Sequence, residues 1–134
     1  MTGESDLRKL IVEMEPTLDP QTYVFASVPS DFVIAEKPLL RFQEDEGDTL
    51  ILSETSARQA GLNDTRQFRR ITLSVHSSLE AVGLTAAFAH ALARHEISAN
   101  VVAGYFHDHI FVPAPDADAA LEALKSLSRE AGAD

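Results

Sequence analysis

The chain has 134 residues, 45% apolar and 24% charged, which fits one compact domain or two very small ones sharing a core and excludes wholesale disorder. With 11 basic against 21 acidic residues the formal net charge is −10, which argues against binding nucleic acid or anionic membranes through bulk electrostatics. No cysteine is present, so there is no disulfide frame, thiolate metal site or thiol nucleophile. The polar, acidic start Met1-Thr2-Gly3-Glu4-Ser5-Asp6 lacks the positive segment and apolar run of a signal peptide. No stretch approaches 18 uninterrupted apolar residues, and the expectation is a soluble, cytoplasmic protein.

Ser5 or Asp6 caps a short helix in which Leu7, Leu10, Ile11 and Met14 form one apolar stripe, and Pro16 and Pro20 end it. Thr22 to Val28 is rich in β-formers and reads as a strand closed by Pro29-Ser30-Asp31, and Phe32-Val33-Ile34 as a further short strand. Leu39 to Phe42 and Thr49 to Leu52 flank Gln43-Glu44-Asp45-Glu46-Gly47-Asp48, a hairpin signal in which Gly47 supplies a positive φ. The acids of that turn lack the alternating pattern of a calcium loop and read as a solvated turn. Ser53 to Ser56 caps a short helix that ends at Gly61, and Asn63 to Gln67 is a polar bridge.

A new unit follows. From Arg69 to Val75 the apolar Ile71, Leu73 and Val75 alternate with polar residues, as in a half-buried strand. Ser77 to Val82 is a loop, and Gly83 or Leu84 opens a helix with Leu84, Phe88, Ala91 and Leu92 on one face, ending near His95. Ser98 to Tyr105 is a strand, Phe106-His107-Asp108 a tight turn, and His109 to Val112 the returning strand. Asp116 caps a last helix that turns Ala117, Leu121, Leu124 and Leu127 inward. The fold class expected is α+β, antiparallel sheet with helices on one face, in two units over residues 1–66 and 67–134.

The run Val82-Gly83-Leu84-Thr85-Ala86-Ala87-Phe88-Ala89-His90-Ala91-Leu92-Ala93, with Glu96 to Asn100 after it, resembles the first helix and second strand of ACT domains. Gly104-Tyr105-Phe106-His107-Asp108-His109-Ile110-Phe111-Val112-Pro113 is similar to the second hairpin of one ACT subgroup, and Phe42 to Leu52 to its degenerate first unit. That subgroup holds small bacterial tandem ACT-like proteins and the tandem-ACT arginine sensors of animals. The resemblance covers residues 6–128 and implies two ferredoxin-like βαββαβ-type units that bind a free amino acid or similar small metabolite at an ACT–ACT interface.

Gly83-Leu84-Thr85 presents backbone N–H groups at a helix N-terminus, where they and the helix dipole attract a carboxylate. The resemblance points to Gly83, Leu84 and Thr85 as ligand-binding, with the loop from Ser77 and Ser78 to Val82 around them; the alternative is a glycine that only completes a tight turn. By the same resemblance Asp108 faces a cationic group of the ligand, the alternative being a turn aspartate bonded to its own backbone. His107 and His109 flank Asp108 and His76 ends the preceding strand, but no metal-site spacing accompanies them. His90 and His95, five apart on one helix, do not share a face. No nucleophile elbow, phosphate loop or dinucleotide fingerprint is present, so no catalytic residue, metal or cofactor is expected. Open sheet edges favour a homodimer, and a regulated protein partner would be contacted in trans. A pure interaction module that keeps the fold without a small ligand is the rival reading.

Overall fold

Residues 6–62, 66–76 and 81–133, described by a computed structural model, begin with helix α1, Leu7–Glu13, whose N-cap Asp6 accepts a 3.1 Å hydrogen bond from the Lys9 N–H. Glu15, at φ 38°, turns the chain from that helix into β1, Pro16–Val28. The order then runs β2 (Leu40–Glu44), β3 (Gly47–Ser53), α2 (Glu54–Gln59), β4 (Phe68–Leu73), α3 (Leu84–Ala93), β5 (Asn100–Ala103) and β6 (Asp108–Pro113). A 3-10 turn, Ala114–Asp116, leads into α4, Ala117–Ala131. The strands are hydrogen-bonded in the order β2-β3-β1-β4-β6-β5.

Two compact units divide the chain: a larger one of Met1–Asp19 with Arg69–Asp134, and a smaller one of Pro20–Phe68. In the larger unit, β4-α3-β5-β6-α4 is joined by the start of β1, which lies beside β4. Ser74 N–H donates to Met14 O at 2.7 Å, Thr17 Oγ1 to Thr72 O at 3.3 Å, and the Arg69 guanidinium to Asp19 O at 2.9 Å. Rising numbers on one segment meet falling numbers on the other, which is the antiparallel sense. The unit is therefore a ferredoxin-like sheet whose fourth strand comes from the beginning of the chain.

Its core joins Leu10, Ile11 and Met14 of α1 to Ile71 and Leu73 of β4, Leu84, Phe88 and Leu92 of α3, Ile110 and Val112 of β6, and Ala120 and Leu124 of α4. The expected stripe of α3 is the buried one, Leu84, Phe88, Ala91 and Leu92. Removing Phe88 wholly from water contributes roughly 1.5–3 kcal/mol. In α4 the buried residues are Ala117, Ala120, Ala123 and Leu124, with Leu121 and Leu127 packed at the margin. Small alanines on that face let the helix lie close to its neighbours. Ser128 Oγ donates to Val12 O at 2.8 Å and ties α4 to α1.

The smaller unit is a β1–β3–β2 antiparallel sheet with α2 over a second core of Val24, Val28, Leu50, Leu52 and Ala57. Glu44 faces Gly47 across the hairpin, so the loop is the two-residue turn Asp45–Glu46 rather than the six residues expected. Gly47 sits at φ 142°, and a Cβ there would meet Val28 O at 2.6 Å. Ser53 caps α2 by accepting from Ser56 N–H at 3.1 Å.

Three further expectations need correction. β1 starts at Pro16, not Thr22: its ladder with β3 begins at Tyr23, so Pro16 and Pro20 withdraw no N–H from that pairing. Phe32-Val33-Ile34 is not a strand; the segment is irregular and sends Phe32 and Ile34 against the second core. β5 is only Asn100–Ala103, and Asp108 is the first residue of β6 rather than part of the turn, because Gly104 N–H already closes the reversal on His107 O at 2.9 Å.

Candidate functional site

β4 stops at Leu73, α3 runs back from Leu84, and β5 returns to a turn at Gly104–His107, so these three chain reversals share one end of the larger unit. Side chains stitch two of them together. His107 Nδ1–H donates to Val75 O at 3.3 Å, Thr72 Oγ1 lies 2.9 Å from His109 Nδ1, and the His76 ring sits 5.4 Å from that of Phe106. Tyr105 stacks edgewise on Phe106 at 5.0 Å. Both aromatic rings are more than half exposed, at 63% and 57%.

Gly83 occupies the N-cap of α3 at φ 102°, a conformation that disfavours any side chain. No side chain caps this end among the described residues, so the first N–H groups of the helix remain directed outward. Of the three residues expected there, Thr85 is exposed, whereas the Leu84 side chain is buried in the core and offers a ligand only its backbone N–H. Ser77 and Ser78 lie outside the described residues.

Asp108 pairs with Ala103 and alternates onto the face of Ile110 and Val112, the helix-covered face of the sheet. It is 9% exposed, and among the described residues its carboxylate accepts no hydrogen bond. Burial pushes its pKa up from 3.8, opposed in part by the nearby His107. The own-backbone bond of a turn aspartate is not what holds it. Gly104 makes room for this arrangement: a Cβ would stand 2.8 Å from His107 O and 3.5 Å from His109 Nε2.

His109 alternates to the opposite face, where burial first, then the charges of Arg70 and His107, pull its pKa below 6.5. Arg70 pairs with Asp19 at 2.7 Å. The His107-Asp108-His109 run therefore diverges, and among the described residues no group of three His, Asp or Glu could hold a metal ion. His90 and His95 are exposed on α3 and just beyond it. The aromatic cluster at the turn was missed in the sequence, although adjacent Tyr105 and Phe106 within a reversal were the available signal.

In the smaller unit the acids at 44–46 are exposed, with Thr49 Oγ1 bonded to Glu44. Arg41 donates to Asp48 at 2.7 Å and to the carbonyls of Phe32 at 3.0 Å and Ser30 at 3.2 Å, fastening the irregular segment to the sheet. Between residues 32–36 and α2 lies a cavity of about 250 Å³.

Models of the ACT domain match residues 2–69 and 66–126. A Vibrio cholerae protein of unknown function, described as a possible transport protein, is 51% identical over 87% of this chain and 91% of its own, with a TM-score of 0.77. An Agrobacterium tumefaciens protein, 14% identical over 81% of this chain and 84% of its own, superposes with a TM-score of 0.62. The ligand-free regulatory subunit of Thermus thermophilus aspartate kinase, 12% identical over 84% of this chain and 95% of its own, gives 0.60. These last two share the fold. No curated protein matches the chain. Among the described residues no helix is long and apolar enough to cross a membrane.

Proposed function

Because the chain belongs to the ACT-domain family, we propose that it is a non-catalytic regulatory protein whose larger unit holds a free amino acid or a similar zwitterionic metabolite. The ligand carboxylate lies at the N–H groups of Leu84 and Thr85, where the helix dipole favours negative charge. Its ammonium pairs with Asp108. A second copy of the chain supplies the facing wall in a cytoplasmic homodimer. Regulation follows from differential affinity: a ligand that binds one arrangement more tightly shifts the population toward it, and a partner protein reads the result in trans.

The observation that carries this reading is Asp108. Burial raises the pKa of this carboxylate, which accepts no hydrogen bond among the described residues, so a cationic group beside it favours the charged form. A thermal-shift panel of the twenty amino acids tests it, with Asp108→Asn as the control. Ligand at about 100 times its Kd contributes roughly 2.7 kcal/mol, a shift of several degrees. An assembly module without a small ligand is favoured instead by the exposed Tyr105 and Phe106. That reading expects no amino-acid-dependent change in stability or in oligomeric state.

A further inference from the structure

The smaller unit follows the chain order of the larger one, strand, connection, hairpin, helix, but with residues 29–39 irregular in the position that α3 holds in the larger unit. Between this segment and α2 lies an open hollow of about 250 Å³.

The lining is amphipathic. Phe32, Ile34 and Ala60 give apolar walls, while Glu36, Ser56 and Gln59 give polar ones. Ser56 Oγ donates to Glu36 Oε2 at 2.8 Å, which joins the segment to α2 and orients the carboxylate. Glu36 Oε1 takes no hydrogen bond among the described residues. The segment is fixed at its start by the two Arg41 bonds to Ser30 and Phe32, so both ends of the lip are tied down. An acceptor-only carboxylate beside an apolar hollow calls for a ligand with a donor at one end and hydrocarbon at the other. An ammonium donor makes the stronger, charge-assisted bond, and the chain's net charge of −10 favours cations at long range.

We propose that this cavity is a second ligand site, separate from the one at Asp108, that takes a small branched primary amine with its ammonium on Glu36 and its hydrocarbon body against Phe32, Ile34 and Ala60. A ¹H–¹⁵N NMR titration of the full chain with 3-methylbutylamine tests it, with 3-methylbutanol and 3-methylbutanoate as comparators. Expected are saturable shifts centred on residues 32–36 and 56–60, at least tenfold weaker binding of the alcohol, and none of the carboxylate. Glu36→Gln, an exposed change that leaves the fold intact, should weaken amine binding at least tenfold, whereas Asp108→Asn should leave it unchanged. The absence of saturable shifts in these residues, or equal amine affinity in Glu36→Gln, overturns the proposal. Loss of amine binding in Asp108→Asn overturns the separateness of the two sites.

Discussion

Gly83→Ala probes the opening of α3, and its cost divides into two parts that can be measured apart. At φ 102° an L side chain is strained whatever space surrounds it, by about 1–2 kcal/mol. The added Cβ also falls 2.9 Å from Leu7 Cδ2, closer than ordinary contact. Leu7 is 38% exposed and the atom is the end of a flexible side chain, so it swings away at small cost. Backbone strain is therefore the larger part. The total of about 1–2 kcal/mol lowers Tm by roughly 4–8 °C for a chain of this length. Thermal and urea unfolding of Gly83→Ala, Leu7→Ala and the double variant complete a mutant cycle. The expected coupling is below about 0.5 kcal/mol, because Leu7→Ala relieves the overlap and leaves φ as it was. Full rescue of Gly83→Ala by Leu7→Ala would refute the reasoning, since it would locate the whole cost in the overlap.

Asp108→Asn should raise stability at pH 7. The native carboxyl has a raised pKa, so the folded state binds more protons than the unfolded one just above 3.8, and wild-type stability falls as pH rises through that window. Urea unfolding from pH 3 to pH 7 should show the two proteins converging at the acid end, and a variant less stable at pH 7 contradicts the assignment. His109 should titrate below 6.5 in an NMR pH series; with fewer protons bound natively, its contribution to stability is lost as pH falls through 6.5 and below. Arg41→Leu leaves Asp48, whose side chain is 5% exposed, as an unpaired buried charge and should cost about 3 kcal/mol in urea unfolding. Arg58→Ala at the exposed pair with Glu54 should cost only about 0.5 kcal/mol or less, so equal losses would sink the distinction.

The helices were legible because their stripes are long and their caps local: Leu84, Phe88, Ala91 and Leu92 recur at helical spacing, and Ser53 caps within its own turn. β1 extends beyond its run of β-formers, Thr22 to Val28, and only the register with β3, which begins at Tyr23, shows why Pro16 and Pro20 are tolerated in it. A start at Thr22 hides the use of Pro16–Asp19 as the fourth strand of the larger unit, a pairing with β4 across more than fifty residues of sequence. At the candidate site, Gly83 was legible as a backbone requirement. The burial of Asp108 was not, since it depends on where the reversal closes, and Gly104 and His107 close it one residue sooner than the turn chemistry of Asp108 suggests. The hollow at Phe32–Glu36 left no local signal, because it is lined by an irregular segment and by α2, some twenty residues apart in sequence.

The most direct test of amino-acid binding at Asp108 is calorimetric titration of the best amino acid from the thermal panel into wild type and Asp108→Asn. The account predicts saturable binding to wild type and at least a tenfold loss in the variant, which itself remains folded and is no less stable at pH 7. Undiminished binding to Asp108→Asn, or no amino acid that binds wild type, contradicts it.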